Sequence, residues 1–432
     1  LLRNTLFRMA RGGFHDHLAG GFHRYSVDEE WIIPHFEKMA DDNAWLLRNY
    51  IQAYEIFKEP RFKDIAEGII RFFRDVLSYE EGGFYASQDA DVTPDDEGGY
   101  FTWTEKDLMN ALSNDEFRIL KMHLLSEKGS MHHDNAKKVL FAEMDAQEIA
   151  QRTSIDIQKI HEILKNGKSK LLAERNKRQS PFIDKTMYTS LNGMVITSFI
   201  KAFRTLNDSY TRDFAIKSLD RIMSLYFVDG NLFHSDGVRA MLDDYVHLID
   251  ANIAVYEVTG YTDYLAAAEK LMEICIDKLW DKSEGGFFDT EDELLGVRIK
   301  AIEDVPHPSS NSIAIRILLK LSFLRGRQDY AEMAEKSLRA FYARAKDLGV
   351  HSGNYFNSMD EHFNHLKLNV FAQPGSAIAL DVLHSFYPYT FIIYGEDKGF
   401  IIPCLKTACY EPINNGGDFK EFLDNLHKTK QE

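Results

Sequence analysis

GGFHRYSVDEEWIIPHFEKMADDN, residues 20–43, is a polar way to enter an apolar helix. Two glycines and an aromatic are followed by His23, Arg24 and Tyr25, and then by Pro34, His35, Phe36 and Glu37. Phe36, Met39, Ala40, Leu47, Tyr50, Ile51 and Tyr54 recur at helical spacing, so the stretch reads as a loop feeding a helix that starts at Pro34. A helix start accounts for Pro34 and for part of Glu37, whose charge suits the positive end of the helix dipole. It does not account for His23, Arg24, Tyr25 and His35.

Working outward, the same spacing recurs near 60–78, 187–206, 208–226, 239–259, 261–280, 309–325 and 327–345. These stretches come in pairs joined by short links of one type: KEPRF at 58–62, NDSYT at 207–211, GYTDY at 260–264 and GRQDY at 326–330. Such links join antiparallel neighbours. The second member of a pair runs into EGGFY at 81–85, DGNLF at 229–233, EGGFF at 284–288 or SGNYF at 352–356, and the opening helix runs into RGGF at 11–14. Gly or Asn there closes a helix in the left-handed conformation. The first member of each pair has the polar head: PHFEKMADDN at 34–43, TSLNG at 189–193, MLDDYVH at 241–247 and HPSSNS at 307–312. The period is longer and less regular than that of most solenoid repeats. A closed ring of helical hairpins fits better, with the first members as an inner ring whose N-termini face one cavity.

The beat breaks at about 88–180. QDADVTPDDEGGYFTWTEKDL, 88–108, reads as a long loop or short hairpin before a helix, 105–125 and 145–175 are charged and moderately periodic, and SEKGSMHHDNAKK, 126–138, reads as exposed. From Tyr387 the character changes: TFIIYGEDKGFIIPCL carries short β-type apolar runs, with a helix expected at 418–427. The expected organisation is a helical ring over 1–386, carrying the insertion, and a small appended segment over 387–432.

Composition narrows the function classes. The chain has 432 residues, 67 acidic against 51 basic, a net charge of -16. That field repels phosphate backbones and no run of Lys and Arg offsets it, so nucleic acid is not an expected partner. No apolar run reaches the length of a membrane span and no signal peptide is visible. The chain opens on Leu1 with a helical pattern already running, so its true start, with any targeting signal, is expected to lie upstream. Three cysteines, Cys275, Cys404 and Cys409, argue against a disulfide framework and for a reducing, cytoplasmic setting. The spacing of Cys404 and Cys409 is not C-x-x-C, and neither a redox nor a metal role is expected of them.

Taken in order, GGFHRYSVDEEWIIPHFEKMADDNAWLLRNY, EGGFYASQDAD with GGYFTWT, DKTMYTSLNGMVI, MLDDYVHLIDANIAVYEVTG and PSSNSIA closely resemble the YyaL family, also known through spermatogenesis-associated protein 20. The resemblance covers most of residues 10–320. It implies an all-α (α/α)6 six-hairpin toroid like that of several glycosidases and of N-acylglucosamine 2-epimerases. It also implies a thioredoxin-like domain ahead of the toroid, which this chain does not include. Where the family has Trp-Asn-Gly, this chain has Leu191-Asn192-Gly193. Fold alone suggests carbohydrate chemistry only by analogy.

The candidate chemistry lies in the polar heads. His35 and Glu37, with Asp42 seven residues beyond His35 on the same expected helix face, form one acid/base group. Asp243, Asp244 and His247 form another: one Asp serves as the N-cap, leaving a carboxylate and an imidazole over. Hydrolysis of a glycoside would pair Glu37 or Asp42 with Asp243 or Asp244. Epimerisation would pair His35 with His247 or His23. The expected ligand is a small molecule, a sugar, contacted by His23, Arg24, Tyr25, Asp89, Asp91, Trp103 (as a stacking platform), Asn192, Tyr245 and Asn311. Asp89 and Asp91 lack further ligands for calcium. His132 and His133 read as surface residues, and no metal or cofactor is expected. The competing expectation is a non-catalytic module that binds a ligand or partner on behalf of the thioredoxin-like domain.

Overall fold

A computed structural model describes residues 1–94, 96–293, 296–406 and 408–429. Its internal contacts divide the chain into two compact units, residues 1–79 with 84–186, and residues 80–83 with 187–432. The fold class is the expected one, all-α helical hairpins of the (α/α)6 type with a small β-containing C-terminal appendage. The last three residues of that appendage lie outside the described residues.

The first unit opens with α1 (Leu2–Arg11) and the hairpin of α2 (Ala40–Phe57) and α3 (Pro60–Phe72). Between α1 and α2 lie three two-residue strands, β1 (Tyr25–Ser26), β2 (Pro34–His35) and β3 (Lys38–Met39). The helix expected from Pro34 therefore starts at Ala40. Pro34 and His35 instead pair antiparallel with Ser26 and Tyr25, a position that proline tolerates at the edge of a ribbon because no ladder hydrogen bond needs its missing N–H. Glu37 is then not in a helix, His35 shares no helix face with Asp42, and the first-turn acids of α2 are Asp41 and Asp42. β3 pairs with β4 (Ser87–Gln88), which pairs with β5 (Ile183–Asp184).

The insertion is more helical than its charge pattern implies. It holds α4 (Glu105–Ala111), α5 (Asn114–Leu124), α6 (Ala146–Thr153) and α7 (Ile157–Arg175). Three of these open on reciprocal caps, Thr104 with Asp107, Ser113 with Glu116 and Asp145 with Glu148, which satisfy otherwise orphaned first-turn amides. They bury a core of their own around Trp103, Leu108, Leu120, Ile149, Ile160 and Leu171.

The second unit begins with α8 (Thr189–Leu206) and α9 (Ser209–Tyr226), followed by a ribbon of β6 (Phe227–Val228), β7 (Asn231–Ser235) and β8 (Val238–Arg239). Two further hairpins follow, α10 (Leu242–Thr259) with α11 (Thr262–Leu279) and α12 (Ser310–Arg325) with α13 (Gln328–Leu348), then α14 (Gly353–Asn364). α10 packs on α8 and on α12, and α12 packs on α14. In α10, 15 of 18 residues are buried, against 6 of 18 in its partner α11. A helix buried on all sides belongs to an inner layer and an amphipathic one to an outer layer, which is the assignment that the polar heads implied. The four links also hold: α2, α8, α10 and α12 end in left-handed Lys58, Asn207, Gly260 and Gly326. SGNYF does not end a helix, since Gly353 opens α14, and Gly12 is extended rather than left-handed.

The appendage starts earlier than Tyr387. Its sheet has the order β10-β9-β11-β12, with β9 (Leu366–Phe371) preceding α15 (Ala377–His384), β10 (Thr390–Tyr394), β11 (Phe400–Leu405) and β12 (Ala408–Cys409). α16 (Gly416–Thr429) closes it. Cys404 and Cys409 stand opposite each other in the β11–β12 pair and form a disulfide. The two cysteines therefore pair with each other, against the expectation of no disulfide, and cysteine scarcity no longer argues for a reducing compartment. No helix among the described residues is long and apolar enough to cross a membrane.

Candidate functional site

Much of the polar sequence at the inner-helix heads serves to hold loops. In the first unit Gly20 and Gly21 adopt φ of +81° and +74°, which glycine alone reaches without strain. Asn43, one turn into α2, accepts from the amide of Phe22 (2.7 Å) and donates to the carbonyls of Phe22 and Met39 (2.9 Å each). Asp16 accepts from the amides of Leu18 and Ala19, and its carboxylate meets Lys38 Nζ at 2.7 Å. In the second unit Asn311 holds Phe287 in the same way, at 2.8 and 2.9 Å, with a third bond to Ala301. Asp281 accepts from Ser283 and Glu284, and meets Lys300 Nζ at 2.6 Å. Asn311 is fully buried and committed to this clamp, so it is withdrawn from ligand binding. Asn192 is equally buried and donates to the Tyr188 carbonyl.

His23 is also a core residue. It is 2% exposed, its Nδ1 meets the Phe36 carbonyl at 2.7 Å, and its ring stands edge-on to Phe36 and Phe101. Burial, then the charge of Lys38, pulls its pKa down to about 3, so it is a neutral packing imidazole. Trp103 is 1% exposed inside the insertion core, with Arg178 4.1 Å from its ring centre, and offers no face to a sugar. Tyr245 is 1% exposed in α10 and is likewise packing.

What remains in the first unit is a compact set. Arg24 Nη1 donates to Glu37 Oε2 at 2.8 Å, and His35 Nε2 lies 3.6 Å from the same oxygen. The Tyr25 and His35 rings stack at 4.9 Å and 18°, as the β1–β2 register dictates. Asp42 has its carboxyl pushed up to about 7, first by burial and then by Asp41; Arg24 opposes the rise and Glu37 adds to it. One carboxyl is thus ion-paired while its neighbour holds a proton near neutrality, the division of labour that acid/base catalysis uses. Asp89 is also raised, by burial and then by Glu37. With Asp91, whose Oδ1 accepts from Gly98, it lines a cleft of about 690 Å³ that includes Gln179, Lys185 and Phe182. Phe182 is 67% exposed, and it supplies the bare aromatic face that Trp103 does not.

The second unit gathers a different set at the head of α10. Asp243 meets His247 Nε2 at 3.3 Å and accepts from Ser310 at 3.0 Å. Burial works to raise its carboxyl, but His247, His307 and the Ser310 hydroxyl hold it down to about 2. Asp244 is not an N-cap; it sits at the third helical position and accepts from the Met241 amide behind it, from Ser190, and from His234 Nδ1 at 2.9 Å. The hydrogen bond to Asp244 raises the pKa of His234 although burial opposes it, and its ring packs on Tyr188 at 4.8 Å.

His234, Asp289 and Phe182 were not singled out from sequence. Two of them had a signal. Aligned on the buried loop residues Phe22, Leu232 and Phe287, the second residue beyond is Arg24, His234 or Asp289. Asp289 is raised by burial, and Asp243 adds to the rise. Among the described residues, Glu97, His132 and His133 could approach one metal ion, but all three lie on the surface.

No family model matches the chain. Human spermatogenesis-associated protein 20 is 29% identical over 387 residues, covering 80% of this chain and 49% of that protein. Uncharacterized protein B0495.5 of Caenorhabditis elegans is 31% identical over 387 residues, covering 81% and 53%. The chain thus spans about half the length of the curated relatives it matches. Among solved structures it is similar to a sugar epimerase from a ruminal bacterium, at 12% identity, 79% and 72% coverage and a TM-score of 0.46. It is also similar to a D-mannose isomerase, at 14% identity, 79% and 85% coverage and a TM-score of 0.38.

Proposed function

We propose that this chain, which belongs to the spermatogenesis-associated protein 20 (YyaL-like) family, binds and processes a carbohydrate, with acid/base groups at the head of α2. The observation that carries this reading is the Asp42 carboxyl, held protonated to about pH 7 beside a Glu37 that is ion-paired with Arg24. In hydrolysis Asp42 delivers its proton to the glycosidic oxygen, while the Glu37 carboxylate supports the positive charge that develops at the sugar or activates water. Phe182, beside Asp89 and Asp91, would stack on a pyranose face while the carboxylates accept from hydroxyls.

Proton exchange at a sugar carbon would call on His234 instead, since Asp244 fixes its ring orientation and its pKa is raised. A panel of aryl glycosides, oligosaccharides and free aldoses followed by ¹H NMR in D₂O separates the two. Hydrolysis shows new reducing ends and falls about 10²- to 10⁴-fold in Asp42→Asn. Epimerisation shows deuterium entering next to the carbonyl and falls in His234→Gln. Sugars that raise the melting temperature but are never turned over would favour the second reading, a binding module serving a thioredoxin-like domain. The commitment of Asn192, Asn311 and Asp244 to structural bonds favours that reading, because it leaves fewer groups for turnover.

A further inference from the structure

A second cleft, of about 580 Å³, opens in the first unit among α1, α3, α5, α6 and α7. Its walls carry Arg61 and Arg71 from α3 and Lys165 and Lys168 from α7. None of these four has an ion pair among the described residues; Arg61 rests on the ring of Phe7 at 4.2 Å. Three carboxylates also line it. Of these, Glu67 faces Lys63 at 3.7 Å and Asp145 accepts from the Glu148 amide as the cap of α6, while the charges of Asp145 and Asp64 both favour the Arg61 guanidinium. His15 lies at the cleft's inner wall, 8% exposed, and neither of its ring nitrogens has a hydrogen-bond partner. In a protein of net charge -16, four cations without an ion pair among the described residues, outnumbering the cleft's three carboxylates around a buried unpartnered imidazole, are a local reversal of the field.

We infer that this cleft is a binding site for a small phosphate-bearing molecule. Ammonium and guanidinium groups converging from two helices match the oxygens of a phosphate, and a buried imidazole N–H donates to one more. The volume suits a phosphate with a small organic body. Electrostatics agree with the geometry: Lys168 is pulled down to about 8, by burial and then by Arg71, as expected of cations held together without their counter-ion. The inference is independent of the sugar reading, since the cleft shares no residue with the α2 head.

The test is calorimetric titration of the protein with inorganic phosphate, pyrophosphate and a hexose monophosphate. Saturable binding is expected, and the rank order tells whether the organic body contributes. Arg71→Gln combined with Lys168→Met should weaken it at least about tenfold, the usual loss for charge-assisted hydrogen bonds. The same variant should keep or raise the melting temperature of the free protein, because it relieves repulsion. Asp64→Asn should tighten binding, and Lys217→Met, a basic residue of the second unit, should not change it. Absence of saturation by all three probes at millimolar concentration overturns the inference. So does equal affinity in the double variant, or an equal loss in Lys217→Met.

Discussion

The loop before α2 and the loop before α12 use one set of bonds to opposite ends. In both, an Asp six residues ahead of a phenylalanine holds two following amides, a Lys joins that Asp to the carbonyl of the first glycine, and an Asn grips the phenylalanine backbone. The difference lies in what surrounds the Asp. Both aspartates are buried, but Asp16 also takes a two-pronged bond from Arg175, at 3.0 and 2.9 Å, and its Lys38 is 1% exposed. Burial opposes ionisation of Asp16, yet Arg175 and Lys38 hold its carboxyl well below the usual carboxylate range. Asp281 has Lys300 alone, and Lys300 is shared with Glu284 near the surface. The first copy is a buried ion triad that ties the insertion to the loop; the second is a plain turn clamp. A repeated motif is thus explained by folding, and only what differs between copies is left to be explained by function.

The largest expected effect tests that contrast. Asp16→Asn leaves Lys38 and Arg175 buried with no counter-charge and should cost about 3–5 kcal/mol. Asp281→Asn leaves Lys300 able to reach Glu284 and water and should cost about 1–2 kcal/mol. Urea unfolding followed by far-UV circular dichroism measures both, and equal costs would break the distinction between triad and clamp. The shared part should behave alike. Asn43→Ala and Asn311→Ala each orphan a buried phenylalanine amide and should cost about 2–3 kcal/mol apiece. Neither should alter the affinity for a bound sugar by more than its effect on the folded fraction.

The hairpins were legible in sequence because helical spacing and link type are local properties, and the left-handed link residues at 58, 207, 260 and 326 bear this out. The start of α2 was not, because PHFE satisfies a helix start and a strand equally well until its pairing with Tyr25 and Ser26 is known. The core of the insertion is hidden from sequence for a similar reason: Ser113 and Glu116 are a readable cap, but the apolar residues they serve become a core only when α5 and α7 meet. At the sites, residue type ran ahead of burial. Asn311, His23 and Trp103 have the chemistry of ligand contacts and are enclosed by their own unit. Arg61, Arg71, Lys165 and Lys168 form no run in the sequence, and two helices bring them to one cleft.

The pH-dependent effect is the most diagnostic. If the α2 head is a site, its protonated carboxyl is held against the interest of stability. Asp42 has a folded pKa of about 7 against an ordinary value of 3.8, so the folded state holds its proton more tightly than the unfolded chain does. Below pH 3.8 both states are protonated and the residue carries no charge penalty. As pH rises toward 7 the unfolded chain gains by ionising while the folded one does not, and stability is lost through that window until the penalty levels off above 7. Asp42→Asn, which is neutral and nearly isosteric, should therefore match wild type at pH 3.5 and exceed it at pH 8. The gain should be about 1–2 kcal/mol once solvent screening of this partly exposed group is allowed for. No comparable gain is expected from Asp243→Asn, because His247, His307 and Ser310 hold that carboxyl down and its charge stabilises the fold. Melting curves of the two variants across pH 3.5–8 give opposite signs if the two heads differ as described. A pH-independent difference for Asp42→Asn would show that its carboxyl is an ordinary surface acid and would remove the proton donor from the α2 head.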